Sequence, residues 1–141
     1  MKTVAQARQD ITTLLEVPEL LSSITGKVYQ TRRPAGRKKV DVVVGTLGLD
    51  NDQFQQGTFN VKVHAPNISV TTDGVADPNT PNIPELDRVM AIAIGLLDNK
   101  WRATFRTEVA TIYEPQQDID LTWFSRAVID YESYNKQFNN I

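Results

Sequence analysis

Within Phe59–Ala65 the apolar residues Phe59, Val61, Val63 and Ala65 alternate with the polar residues Asn60, Lys62 and His64. Successive side chains of a strand point to opposite faces, so this segment has one apolar and one polar face. A strand buried on one side belongs to a sheet covered on one side, a pattern of antiparallel rather than all-parallel sheets. The rest of the chain must then supply partner strands and an apolar cover.

Two segments have the helical spacing such a cover needs. Val4, Ala7, Ile11, Leu14 and Leu15 form one stripe, and Thr3 with Gln6 stands in capping-box positions before it. A helix is predicted over about 3–16. Pro18 suits a first helical turn, so 18–23 reads as a short second helix ended by Gly26. Asn82 is placed as an N-cap, with Pro84 in the first turn and Glu85 at the reciprocal position. Leu86, Val89, Met90, Ala93, Ile94 and Leu97 follow as a broad apolar surface, which predicts a well-buried helix over about 83–98.

The remaining segments read mostly as strands. Val28–Thr31 is short, and Pro34-Ala35-Gly36 is turn chemistry. Val40–Leu49 is rich in β-branched residues, with Gly45 and Gly48 marking a bulge or bend. Residues 50–56 read as a polar connection, and 66–82, with Pro66, Pro78 and Pro81, as a long loop. Trp101–Tyr113 and Ile119–Tyr134 are joined by a turn at 114–118. On the first, Trp101, Phe105, Val109 and Tyr113 share a face. On the second, the odd positions Ile119, Leu121, Trp123, Ala127, Ile129 and Tyr131 do. The expected fold is a single α+β domain over 1–141. It is an antiparallel four- to five-stranded sheet with a long helix packed on one face and a short N-terminal helix.

Chemistry is harder to find. The 141 residues include no cysteine, which excludes disulfides, thiolate nucleophiles and cysteine-held metals. No apolar run approaches the ~20 residues that span a bilayer, and no export signal is read near Met1. A soluble protein with no membrane partner is expected. His64, the only histidine, falls on a polar strand face and reads as a solvated surface residue. Asp118 and Asp120, like Asp50, Asn51 and Asp52, read as turn residues rather than metal ligands. Gly45-Thr46-Leu47-Gly48 lacks the lysine of a phosphate-binding loop. No catalytic set, metal or cofactor is expected.

The charge is segregated although the net charge is only −2. Lys27, Arg32, Arg33, Arg37, Lys38 and Lys39 give +6 over 27–39 with no acid among them. Residues 107–141 carry six acids against Arg126 and Lys136, a balance of −4. Three readings compete: a solvated loop, contact with nucleic-acid phosphates, or one copy's basic loop meeting the acidic hairpin of the next. The last requires the two patches to face different molecules. Phe124, Val128 and Tyr134 fall on the even, solvent-side face of the last strand and mark a candidate subunit interface with Asp118 and Asp120.

The order of elements resembles the tail-terminator and tail-completion proteins of long-tailed bacteriophages. The resembling features are the leucine-rich turn Ile11–Leu21 and the following GKVYQTRRP. To these are added NVKVHAPN at Asn60–Asn67, a proline-rich loop leading into IPELDRVM, and the closing VIDYESYN at Val128–Asn135. The resemblance covers most of the chain in architecture and texture rather than in signature motifs. It implies a non-enzymatic virion tail protein, assembled in the bacterial host cytoplasm. Such proteins form a ring, commonly a hexamer, on the head-proximal end of the tail tube. Its implied partners are further copies of itself, the tail-tube protein and the head connector protein, with DNA passing through the lumen. Arg32, Arg33, Arg37, Lys38 and Lys39 would contact protein or DNA. The alternative is a nucleic-acid-binding module using the basic loop 27–39.

Overall fold

The structure is a computed structural model that describes residues 1–52 and 54–134. Lys136 and Asn135, used above in the charge balance and the resemblance, lie outside these.

Helix α1 (Val4–Leu15) begins with both halves of the expected capping box: Gln6 N donates to Thr3 Oγ1 and Thr3 N to Gln6 Oε1. Its buried stripe is Ala7, Ile11, Leu14 and Leu15. Helix α2 (Pro18–Leu21) is a single turn that buries Leu20. Helix α3 (Ile83–Leu97) is capped by Asn82 and buries Leu86, Val89, Met90, Ala93 and Leu97.

Among the described residues, eight strands follow the chain in order: β1 (Val28–Gln30), β2 (Asp41–Leu49), β3 (Phe54–Ala65), β4 (Ile68–Thr72), β5 (Val75–Thr80), β6 (Lys100–Trp101), β7 (Phe105–Gln117) and β8 (Trp123–Tyr134). Six of them form one sheet in the order β1-β2-β3-β8-β7-β6, and β4 pairs with β5 alone. The expected four- or five-stranded antiparallel sheet under one long helix is therefore corrected. The chain is mostly β, with a six-stranded mixed sheet, a separate two-stranded sheet and three short helices.

Each difference has a physical cause. β1 runs parallel to β2, with Val28 beside Val42 and Gln30 beside Val44. The turn at Pro34–Gly36 does not close a hairpin; the loop returns the chain to the start of β1. The hairpin β4–β5 escaped notice because β4 is wholly exposed and β5 nearly so, and an unburied strand has no apolar period to read. The last turn sits at 118–122, where Asp118 N donates to Thr122 O, later than the proline suggested.

The core lies between the helices and one face of the large sheet. Val42, Val44, Phe59, Val61, Val63, Ala127, Ile129 and Tyr131 form that face, all essentially buried. The Phe59 and Tyr131 rings meet edge to face at 5.4 Å. Each such side chain contributes about 1.5–3 kcal/mol by leaving water, and Phe59→Ala would cost about 3–5 kcal/mol. The glycine signal in β2 is a true bulge: pairing with β3 shifts between Thr46 and Gly48. Of two further shifts in β7, the one between Val109 and Thr111 turns Tyr113 opposite Arg126, while Phe105 stays opposite Ser133 on the core side. Phe105 and Tyr113, expected on one face, thus lie on opposite faces.

Candidate functional site

Among the described residues no helix packs on the second face of the large sheet, which carries Asp41, Lys62, His64, Phe124 and Arg126. Its organising residue is Asp41, first in β2 and completely buried. Arg37 donates to it through Nη2 and Nε, Arg33 through Nη1 at 3.1 Å, and the Lys27 backbone N–H at 2.9 Å. Arg33 also donates to Lys39 O, and the Arg37 guanidinium lies 5.4 Å from the centre of the Tyr29 ring. Burial alone would raise the Asp41 pKa. The hydrogen bonds from Arg37, Lys27 N and Arg33 outweigh it and hold the carboxyl below its ordinary range. Gly26 makes the approach possible, since a Cβ there would stand 1.8 Å from Asp41 Oδ1.

The basic loop is therefore only partly available to a partner. Arg33 and Arg37 are turned inward onto Asp41, while Arg32, Lys38 and Lys39 remain exposed. Asp118 and Asp120 do not form a separate acidic rim. They line the same cavity of about 180 Å³ as Arg32, Arg33 and Arg37. The Asp120 pKa is lowered by hydrogen bonds from the Thr122 hydroxyl and backbone, and further by the charge of Arg33. Asp118 Oδ1 accepts from Ile119 N within the turn. Asp118 and Asp120 thus lie beside the basic loop of their own molecule, whereas Glu108, Asp130 and Glu132 lie apart from it.

His64 is also corrected. It is 6% exposed rather than solvated, packed beside Phe124 with ring centres 5.5 Å apart. Desolvation first, then the charges of Arg33 and Lys62, push its pKa down to about 4, so it is neutral at pH 7. Of the proposed interface residues, Phe124 is buried at 9% exposure, while Val128 and Tyr134 are half-buried. Phe124 is covered by Lys62 and His64, and Tyr134 meets Phe54 edge to face.

Sequence reasoning missed Asp41, Lys62 and Arg126. Asp41 gave a signal: it lies two residues beyond the basic run and four from Arg37. Lys62 and Arg126 gave none, because their pairing across β3 and β8 depends on strand register.

At the other end of the same face, a groove of about 630 Å³ is lined by Asp50, Glu108, Asp130, Glu132 and Arg106. Among the described residues no three carboxylate or imidazole groups converge as a metal site. No described helix is long and apolar enough to cross a membrane. Compared with known protein families and with curated proteins, the chain matches none.

Proposed function

We propose that this chain is a non-catalytic structural subunit that associates with its own kind, in the manner of the phage tail-terminator and tail-completion proteins its element order resembles. One observation carries the reading: an exposed apolar end built from two hairpins tied together. Asn67 Nδ2 donates to Leu121 O, and Trp123 Nε1 to Asn79 O, which fixes the base of β4–β5 to the β7–β8 turn. That turn presents Ile119 at 98% exposure and Leu121 at 50%. Leu121 is held at φ 70°, a left-handed conformation unfavourable to a branched side chain. Ile68 and Val70 are exposed on the neighbouring hairpin. Exposed apolar surface of this kind marks protein interaction sites.

The edge of β7 adds to this. β6 pairs with it only at Arg106 and Thr107, so the outer backbone from Glu108 to Gln117 has no strand beside it among the described residues. An unpaired edge accepts a partner strand, and the shifts near Val109 and Tyr113 together with Pro115 restrict which strand fits. In this reading the partners are further copies in a ring, the tail tube below and the head connector above, with DNA in the lumen of the virion tail.

Mass photometry of the full chain, alone and with tail tubes, tests the proposal. Assembly is expected in at least one condition, and Ile119→Asp with Leu121→Asp should remove it without unfolding the chain. A monomer in every condition, or a variant that assembles like the parent, overturns it. The nucleic-acid reading retains Arg32, Lys38 and Lys39 as exposed contacts. It requires log K to fall with log salt at a slope of no more than about −3 for three phosphates.

A further inference from the structure

We propose that the uncovered face of the large sheet holds a binding site for a phosphate oxyanion, centred on Lys62 and reaching Arg8. This goes beyond the assembly reading and does not depend on it.

Lys62 and Arg126 are direct register partners on β3 and β8, two like charges opposite one another on the same face. That arrangement is destabilising unless something offsets it. Neither forms an ion pair with a carboxylate among the described residues. Each is held instead by an aromatic face: Lys62 Nζ lies 4.9 Å from the centre of the Phe124 ring and Arg126 Cζ 4.2 Å from that of Tyr113. A ring attracts a cation without using its hydrogen-bond donors. The charges are thus positioned with donors left over, and Arg126 Nε is buried with no partner among the described residues.

Lys62 lines a cavity of about 300 Å³ together with Arg8, Thr31, Thr46 and Asn60. Among the described residues no carboxylate lines it; Asp118 and Asp120 lie in the smaller neighbouring cavity, which Lys62 also lines. Arg8 comes from α1 and is aimed by hydrogen bonds to Gln30 Oε1 and Thr46 Oγ1. Two cations and the hydroxyls of Thr31 and Thr46 around this cavity suit a tetrahedral oxyanion, to which charged hydrogen bonds are strongest. The phosphate could belong to free phosphate or to a nucleic-acid backbone.

Thermal unfolding of the full chain in sodium phosphate, against sodium chloride at equal ionic strength, is the test. A saturable rise in Tm is expected with phosphate. Lys62→Gln should weaken phosphate binding at least about tenfold, as for loss of one charge-assisted hydrogen bond. The same variant should unfold no earlier than the parent in chloride, because it relieves the opposition to Arg126. Arg8→Gln should weaken phosphate binding without that relief. A short oligonucleotide forms a second arm: a rise at lower phosphate concentration than the free ion needs assigns the site to nucleic acid, and a rise with the free ion alone assigns it to free phosphate. Equal Tm in phosphate, oligonucleotide and chloride overturns the proposal, as does an equal phosphate effect in the parent and both variants. Should Lys62→Gln not fold, a phosphate titration of the parent by NMR must move the Arg8, Asn60 and Lys62 signals together; unmoved signals overturn the proposal.

Discussion

Arg37 closes on Asp41 with two hydrogen bonds, Nη2 to Oδ1 at 2.9 Å and Nε to Oδ2 at 3.2 Å. The segment with the greatest positive charge in the chain is thereby folded around one buried carboxylate. The same carboxylate accepts Lys27 N at the start of β1 and opens β2, so it joins the loop to the parallel strand pair.

Asp41→Asn should therefore be severe. The amide keeps the size but loses the charge, leaving Arg33 and Arg37 without a counter-ion. Breaking a buried pair by removing one partner costs about 3–5 kcal/mol. Urea unfolding should show that loss as a lower midpoint at similar slope, and a loss below about 1 kcal/mol would mean that the pair contributes little. Gly26→Ala should fall in the same class, since its Cβ meets Asp41 Oδ1 at 1.8 Å. The double variant should cost clearly less than the two single losses added together, because both break one arrangement.

Stability should depend on pH in two windows. His64 has a folded pKa of about 4, below the ordinary 6.5, so between these values the unfolded chain binds the proton and the folded chain does not. Stability then rises with pH across the window: it is fully present above pH 6.5 and lost as pH falls toward 4, by about 3 kcal/mol. Asp41 has a lowered pKa, so its contribution is present above the ordinary carboxylate range and is lost as pH falls below it. His64→Gln should flatten the upper window and leave the lower one. A His64 NMR titration with a midpoint near 6.5 would contradict the buried neutral ring.

Trp123 links dynamics to the apolar end. Its indole N–H holds Asn79 O at 2.8 Å from the edge of the core, while the hairpin it anchors is largely exposed. Trp123→Phe keeps much of the apolar contact and deletes that bond. Global stability should fall by about 1 kcal/mol. Amide exchange over 75–80 should quicken far more, as local opening separates from global unfolding. Equal protection there in both proteins would show that the hairpin is held by other means.

The residues that face the core were readable because burial imposes a period. Thr3 with Gln6, the α3 stripe and the odd positions from Trp123 onward stand where spacing placed them, whereas Ile119 and Leu121, expected on the same face, fall in the turn before β8 and are exposed. The hairpin β4–β5 has no buried side to impose one. The faces of β7 were misread because its register shift between Val109 and Thr111 is invisible without β8. The charged site was least legible, since counting bases over 27–39 stopped short of the acid that binds two of them. Lys62 faces Arg126 across a distance in sequence that no local pattern spans.

Assembly, where it occurs, should respond weakly to salt. Arg33 and Arg37 are already paired with Asp41, and Asp118 and Asp120 share a cavity with the basic loop, so the charges nearest the apolar end are matched within the molecule, while Asp50, Glu108, Asp130 and Glu132 lie in the groove at the other end of the face. Ile119, Leu121, Ile68 and Val70 provide apolar contact instead, which added salt does not screen. Sedimentation between 50 and 500 mM chloride, about a threefold change in screening length, should leave the association constant within about threefold. Neutralising Arg32, Lys38 and Lys39 together should change it as little, whereas Ile119→Asp should abolish assembly. A steep fall with salt, or loss of assembly on neutralising the loop, would return the interface to the exposed cations and away from the two hairpins.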